Sequence, residues 1–292
     1  MGLSRVVSEN STQNATLWYM LFGAKFFDLG LRKIDRDLNR KIAIIRSIGR
    51  DTINLLVGKY CEKTDEPETE TNFVKMAIES GYLNGKGELH ITTEELIDEF
   101  FTFYIGGMDT TAHLMGMCFY YLAIYPEMQE RLRKEATAGE NLDLSALNKL
   151  EYLDNFVNET NRHYGFMLSI FPREALKDHQ LGHIAVKKGT VVMFNWLGNY
   201  YYEKYFPKPM EFNPDRWTDG GKAAEASYVF IPFSTGKRVC VGKRLALIET
   251  KLLIVKALRR FRIKLKEGYV HKMVQRNLYE PENPIPLLFE QI

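Results

Sequence analysis

Three cysteines, Cys61, Cys118 and Cys240, are spread over 292 residues, too few and too scattered for a disulfide framework, and no CxxC pair marks a structural zinc site. The chain reads as reduced and intracellular. One-sided charge is also missing: 39 Lys and Arg against 37 Asp and Glu leave a net charge of +2, so no global field draws in nucleic acid or an acidic membrane surface. No nucleic-acid partner is expected. No apolar run reaches the roughly 18 to 20 residues that a bilayer span needs; the best stretch, "ATLWYMLFGAKFF" from Ala15, is broken by Lys25. The first residues hold no apolar segment of signal-peptide length, and Val6 stands where a myristoylation signal needs Ser or Thr.

What the chain does contain is an ordinary globular composition, 45% hydrophobic and 26% charged, with length for one large domain or two small ones. Helical periodicity dominates. Apolar residues recur at three- and four-residue spacing from Leu29 to Leu56, which predicts one or two amphipathic helices. The acidic stretch "CEKTDEPETETN" from Cys61, with Pro67, predicts an exposed connector. Thr92 stands three positions before Glu95 at the head of a long apolar stretch ending at Pro126, a capping box that opens one long, largely buried helix. Pro126 suits the first turn of the next helix and Gly139 its stop, and a third helix, "LEYLDNFVNETNRHYG", closes at Gly165. β-Branched runs between Phe171 and Trp196 predict a few short strands. A loop region with Pro207, Pro209, Pro214 and Pro232 follows, then a helix from Lys243 to about Arg260, and the tail "YEPENPIPLLF" predicts a hairpin or an extended strand.

In "FIPFSTGKRVCVGKRLALIE", Phe233, Gly236, Arg238, Cys240 and Gly242 sit just before an amphipathic helix. Gly236 and Gly242 permit tight turns that bring backbone N–H groups toward the sulfur, and the helix presents its positive N-terminus; both favour thiolate over thiol. A thiolate is one of the protein ligands of haem iron, and its electron donation promotes O–O cleavage. A lone cysteine is otherwise most often a small buried apolar residue. A phosphate loop is excluded by the spacing from Gly236 to Gly242 and by Arg244 where Ser or Thr is needed.

Three further groups matter. Glu159 and Arg162, three apart, share a helix face and can pair; Arg216 beside Trp217 offers a second guanidinium for a Glu–Arg–Arg lock, the alternative being a solvated surface bridge. Gly106 and Gly107 interrupt a long helix at about 1 kcal/mol each relative to Ala, next to Asp109, Thr110 and Thr111. They read as a loosened turn with room for a small ligand, an acid and a hydroxyl proton relay, or as a close helix–helix contact with Thr bonded back to a carbonyl. Arg173 enters the strand region either as a buried cation that needs an anionic partner, such as a haem propionate, or as a surface arginine.

Together and in this order, the segments "GGMDTT", "ETNR", "FNPDRW" and "FSTGKRVCVG", across most of residues 90 to 260, resemble the cytochrome P-450 superfamily of haem-thiolate monooxygenases. The resemblance implies a mainly α fold, triangular and with a small β-region, containing haem b. Members of the family are markedly longer, so it also implies that an N-terminal part is missing: 1–292 would be a partial domain, with substrate-roof helices and a connector in 1–90 and the haem-binding core in 91–292. Cys240 would be the axial iron ligand. Arg173 and Arg238 would contact the propionates, Phe233, Gly236 and Gly242 would shape the cysteine loop, and Glu159, Arg162 and Arg216 would form the structural lock. Asp109 and Thr110 would deliver protons during dioxygen reduction, with Gly106 and Gly107 making the oxygen-side groove.

The implied reaction inserts one atom of dioxygen into a small apolar organic substrate and reduces the other to water. The alternatives are a non-catalytic haem-binding module and an inactive fragment of such an enzyme. Electrons would come ultimately from NADPH or NADH through a reductase or ferredoxin-type partner, because no flavin or nicotinamide fingerprint is present. Lys237, Lys243 and Arg244 flank the cysteine loop as a cluster for an acidic reductase surface, or as a solvated basic face. The resemblance places the protein at the endoplasmic reticulum membrane if the full-length chain carries an N-terminal anchor. "LWYMLFGAKFF" reads as a segment that dips into a membrane interface or as pocket lining.

Overall fold

The computed structural model describes residues 33–61, 75–76, 92–139, 142–165, 172–218, 228–275 and 278–292. The aromatic segment "LWYMLFGAKFF" and nearly all of the acidic connector lie outside the described residues. The chain divides into two compact units, Met1–Asp109 and Thr110–Ile292. Among the described residues, no helix is long and apolar enough to cross a membrane.

In the first unit, helix α1 covers Lys33–Cys61, five residues past the end expected from its periodicity. Ile53 is buried, while Ile42, Ile44, Ile48 and Leu55 stay exposed. Helix α2, Thr93–Ile124, opens with the expected capping box: the Thr92 N–H donates to Glu95 Oε2 at 2.7 Å and the Glu95 N–H to Thr92 Oγ1 at 3.1 Å. These two bonds satisfy donors that a bare helix end would leave orphaned. The same contact holds the Glu95 carboxyl below its ordinary range, through the Thr92 backbone N–H and then its hydroxyl. Gly49 lets α1 approach the start of α2, since a Cβ there would stand 2.7 Å from Phe101 Cε2. Arg46 reaches Asp98 at 2.5 Å and Glu94 at 3.1 Å, and Arg50 also pairs with Glu94. These pairs are exposed, so they orient the helices more than they stabilise them.

The second unit is mainly α, as expected. Helix α3, Pro126–Thr137, has Pro in its first turn, where the missing N–H costs nothing. It stops at Thr137, two residues before Gly139, because an ordinary right-handed Ala138 closes it. After the short α4, Leu144–Leu147, helix α5 spans Glu151–Tyr164 and ends on Gly165 in the left-handed region, φ +52°, with the Gly165 N–H returned to the Asn161 carbonyl. The N-terminus of α5 has no cap of its own; the Glu135 carboxylate of α3 accepts from the Tyr152 and Leu153 N–H groups at 3.0 and 2.9 Å.

The core gathers Leu114, Cys118 and Leu122 from α2, Leu132 and Ala136 from α3, and Leu153, Phe156 and Val157 from α5. It is completed by Ile254, Val255 and Leu258 from helix α7, Lys243–Leu258. Each of its Leu, Ile, Val and Phe side chains contributes about 1.5–3 kcal/mol when fully buried.

The strands are short antiparallel pairs. β1 (Arg173–Glu174) pairs with β4 (Val191–Val192), and β2 (His179–Leu181) with β3 (Ile184–Val186). Helix α6, Leu197–Tyr200, follows. Past α7, β5 (Phe261–Leu265) pairs with β8 (Leu287–Gln291) around an inner hairpin of β6 (Met273–Gln275) and β7 (Tyr279–Pro281). The Pro-rich tail therefore supplies both the second strand of a hairpin, β7, and a returning strand, β8, whose partner is not encoded in the residues around it. Buried Gln129 of α3 ties helix to sheet: its Nε2 donates to the Leu122 and Ile263 carbonyls, both at 2.8 Å, and its Oε1 accepts the Ile263 N–H at 2.9 Å. Arg133, one turn on, donates to the Leu258 and Phe261 carbonyls.

Candidate functional site

A densely hydrogen-bonded polar cluster surrounds Glu159, which is fully buried. Its Oε2 accepts from Arg162 Nε at 2.8 Å and Trp217 Nε1 at 3.0 Å. Its Oε1 accepts from Arg162 Nη2 at 2.8 Å, the Asn213 N–H at 2.9 Å and Arg216 Nε at 3.0 Å. The guanidiniums use their remaining N–H groups on main-chain carbonyls: Arg162 on Tyr200, Pro209 and Glu211, and Arg216 on Pro207, Lys208 and Glu211. A buried carboxylate is tolerable when paired and fully hydrogen-bonded. Here that satisfaction pins the 200–217 loops to α5. The surface-bridge alternative is set aside by the burial. Trp217 Nε1 and the Asn213 N–H belong to the same network, although the sequence points only to Arg216 as a donor from that segment.

Two aromatic layers flank the cluster. Phe206, Trp217 and Phe230 pack in one buried group with Trp196 and Tyr200. On the other side His163 accepts from Tyr121 Oη at Nδ1, 2.7 Å, and donates from Nε2 to the Met210 carbonyl, 3.0 Å. Burial holds the His163 imidazole below its ordinary pKa, against the Met210 bond that raises it.

The cysteine loop differs in every respect. Leaving buried Phe230, the chain turns at Ser234, φ +65°, and again at Gly236, φ +69°. Left-handed backbone suits glycine and costs other residues roughly 1–2 kcal/mol, so Ser234 is a strained position that nothing in the sequence announces. The Ser234 N–H donates to the Ile231 carbonyl at 3.0 Å, the Cys240 N–H to the Phe233 carbonyl at 2.8 Å and the Lys243 N–H to the Cys240 carbonyl at 3.3 Å. These bonds carry Cys240, exposed, onto the N-terminus of α7. Gly242 sits in the expected tight turn, closed by the Lys243 N–H on the Cys240 carbonyl, but its φ of −82° is open to any residue, and it is the N-cap of α7. A Cβ on it would sit 3.9 Å from Cys240 Sγ, in ordinary contact. Phe233 takes Lys243 Nζ 5.9 Å over its ring. Cys118, by contrast, is sealed in the core, and burial pushes its thiol up to about 12.

Two expectations change. Gly106 and Gly107 do not loosen α2, which runs unbroken through them because its own ladder continues on both sides. Among the described residues a Cβ at either would meet nothing within 4 Å, and both glycines are exposed beside half-buried Asp109. Thr110, in the second unit, is half-buried. Arg173 is not a buried cation: it is exposed on β1, with Nη1 3.5 Å from the Pro172 carbonyl. Arg238 is likewise exposed, in a 3-10 turn over Gly236–Arg238.

The cysteine loop fits an iron porphyrin. An exposed sulfur would supply the soft ligand, exposed Val239 and Val241 on either side would offer apolar surface to a flat macrocycle, and exposed Arg238 would suit a carboxylate edge. Among the described residues no group of three or more His, Cys, Asp or Glu side chains gathers to hold a bare metal ion.

A mainly helical scaffold that, among the described residues, presents one exposed cysteine at a helix N-terminus and holds a buried Glu–Arg–Arg network narrows the class of protein to those built around an accessible thiol. The sequence model of the family described as cytochrome P-450 matches residues 3–289. The chain belongs to the cytochrome P-450 family. Cytochrome P-450 3A13 of Mus musculus is 30% identical over 230 residues, 76% of this chain and 46% of that protein. Cytochrome P-450 3A29 of Sus scrofa is 32% identical over 238 residues, 78% and 47%. Cytochrome P-450 3A19 of Capra hircus aegagrus is 34% identical over 199 residues, 66% and 91%. The chain spans about half the length of most of the curated relatives it matches.

Proposed function

We propose that this chain carries the haem-thiolate machinery of a monooxygenase, with Cys240 as the axial ligand of haem b. The observation that supports this most is the cysteine loop, in which strained backbone and three main-chain hydrogen bonds hold an exposed sulfur on a helix N-terminus. Haem, when bound, supplies dioxygen activation driven by electrons delivered one at a time.

The residues of the chain do the rest. Arg238 and Arg173 would hold the propionates by charge-assisted hydrogen bonds. The positive end of α7 favours the thiolate at Sγ. Asp109 takes up protons at its carboxylate and Thr110 passes them on through Oγ1, so that proton delivery keeps pace with electron delivery. Gly106 and Gly107 keep side chains out of the space beside that pair. The Glu159 network fixes the loops behind the cysteine. A small apolar organic substrate receives one oxygen atom, and the other leaves as water. Electrons arrive from NADPH or NADH through a reductase or ferredoxin-type partner, for which exposed Lys237, Lys243 and Arg244 supply a docking face for acidic groups. Attachment to the endoplasmic reticulum membrane goes with this reading where the whole protein carries an N-terminal anchor.

The test is to supply haem, reduce the protein, add carbon monoxide and record the spectrum. A strongly red-shifted Soret band that disappears in Cys240→Ser is the expected result. A band of the nitrogen-ligated type, or no bound haem, would sink the assignment. In a loaded protein, Thr110→Ala should release peroxide at the expense of product; tight coupling in that variant would count against the relay.

A further inference from the structure

Tyr121 of α2 and His163 of α5 form a buried pair that the thiolate chemistry does not use, and both lie in the second unit. Tyr121 is 5% exposed. Its Oη stands 2.7 Å from His163 Nδ1, and His163 Nε2 stands 3.0 Å from the Met210 carbonyl oxygen. A carbonyl only accepts, so Nε2 carries the hydrogen of the neutral ring and Nδ1 offers its lone pair to the phenol. Burial holds the imidazole below its ordinary value of 6.5, so at neutral pH that lone pair is unprotonated.

A phenol that loses an electron becomes a strong acid, and a phenol radical cation in the core would be an unpaired buried charge. Oxidation there requires that the proton leave with the electron. Tyr164, Tyr201 and Tyr269 donate to the carbonyls of Tyr279, His163 and Asn283, oxygens too weakly basic to hold a proton, and the Tyr200 hydroxyl accepts from the Ile231 N–H. Tyr121 faces a vacant base instead. When that base takes the proton, both ring N–H groups already have acceptors, Tyr121 Oη and the Met210 carbonyl, so no hydrogen bond has to be remade. Of the charges around the ring, the Glu159 carboxylate favours the imidazolium while the Arg162 and Arg216 guanidiniums oppose it. Tyr201 meets the ring edge-on. A proton held this weakly goes back when the electron returns.

Stacked rings lead outward from the pair. Phe212 lies 4.0 Å from Tyr121 and 5.4 Å from Tyr125, centroid to centroid, with the three planes within 16° of one another. Tyr125, just past the end of α2, is half-buried.

We propose that Tyr121 is a reversible one-electron redox site with His163 as its proton acceptor. A one-electron oxidant outside the core, a high-potential metal complex, takes an electron from the Tyr121 phenol through the Phe212–Tyr125 stack and is itself reduced. The O–H bond breaks, an Nδ1–H bond forms, and a neutral tyrosyl radical faces an imidazolium. An enediol reductant such as ascorbate returns the electron, and the proton moves back from Nδ1 to Oη. The site is separate from the haem-thiolate reading and stands whether or not haem binds.

The experiment is flash oxidation of the full chain by photogenerated tris(bipyridine)ruthenium(III), followed by transient absorption and freeze-quench electron paramagnetic resonance. A tyrosyl radical that outlives those of exposed tyrosines, and that ascorbate erases with recovery of the starting protein, is the expected result. Its rate of formation should be level above about pH 6.5 and fall in more acidic solution as Nδ1 becomes occupied. Tyrosines that give their proton to water oxidise faster as pH climbs toward their own pKa of about 10. Tyr121→Phe should remove the long-lived radical. His163→Gln, which can accept a hydrogen bond but is no base, should slow its formation by roughly a hundredfold or more. A long-lived radical that persists in Tyr121→Phe would overturn the proposal by placing it on another ring, and so would an unchanged rate in His163→Gln or the lack of any long-lived radical. If either variant does not fold, the pH profile of the unmutated chain decides: a rate that climbs through neutral pH with no acidic decline overturns the pair.

Discussion

The Glu159 cluster and the Cys240 loop meet the same problem, a reactive or charged side chain near a core, with opposite solutions. Around Glu159 the side chains are tied down, with the carboxylate fully buried and accepting five hydrogen bonds, while among the main-chain acceptors only Lys208 is left-handed, φ +49°. Around Cys240 the side chain is exposed and only the main chain is tied down, through left-handed Ser234 and Gly236. A saturated network contributes rigidity and has no valence left for a ligand. A strained loop with an exposed sulfur contributes little stability and keeps its chemistry available.

That contrast can be broken from the stable side first. Glu159→Gln should cost about 3–5 kcal/mol in denaturant unfolding, because it strands two guanidiniums without their counter-charge. A loss under about 1 kcal/mol would show that the backbone carbonyls alone satisfy Arg162 and Arg216. Gly165→Ala, next to the same cluster, should cost about 1–2 kcal/mol, since φ is +52° and the new Cβ would press on Leu197 Cδ1 at 2.3 Å, a side-chain tip that can turn away.

Acid should weaken the aromatic layer beside the network. Burial holds the folded His163 pKa below the unfolded value of about 6.5. The unfolded chain therefore binds the proton first, and stability falls as pH drops below that value, levelling off once the folded pKa is passed. A urea series from pH 7.5 to 5 should show this slope shrink in His163→Gln; an unchanged slope would assign it to other groups, His271 among them, whose pKa burial also lowers. The smallest effect belongs to the loop. Cys240→Ser should leave unfolding stability within about 0.5 kcal/mol, as an exposed substitution does, and a large loss would mean that the sulfur has a packing role.

Features that depend on near neighbours along the chain are legible in the amino-acid sequence alone. The Thr92–Glu95 box, Pro126 at a helix start and Gly165 at a helix end each encode their conformation within a few residues. The mainly α fold follows from the same periodicity. Features that close over long separations are not legible in this way. β8 finds β5 across the inner hairpin, Trp217 Nε1 reaches Glu159 over fifty-eight residues of chain, and Ser234 is forced left-handed by bonds on either side of it. Glycine spacing also misleads: Gly106 and Gly107 predict a broken helix, yet a helix bonded on both sides absorbs about 1 kcal/mol at each. Gly242 does sit in a tight turn, but with a φ of −82° that turn asks for no glycine. For the candidate site the residue types are readable from the motifs, while exposure, which separates Cys240 from Cys118, depends on the assembled core.

Gln129 has a consequence for solubility. Among the described residues β5 has β8 on one edge only, and an open edge is a template on which a second chain can add by main-chain pairing. The amide of Gln129 copies a peptide unit there, accepting from the Ile263 N–H and donating to its carbonyl. One side chain thus plays the part of a missing neighbour strand and closes the middle of that edge to self-association.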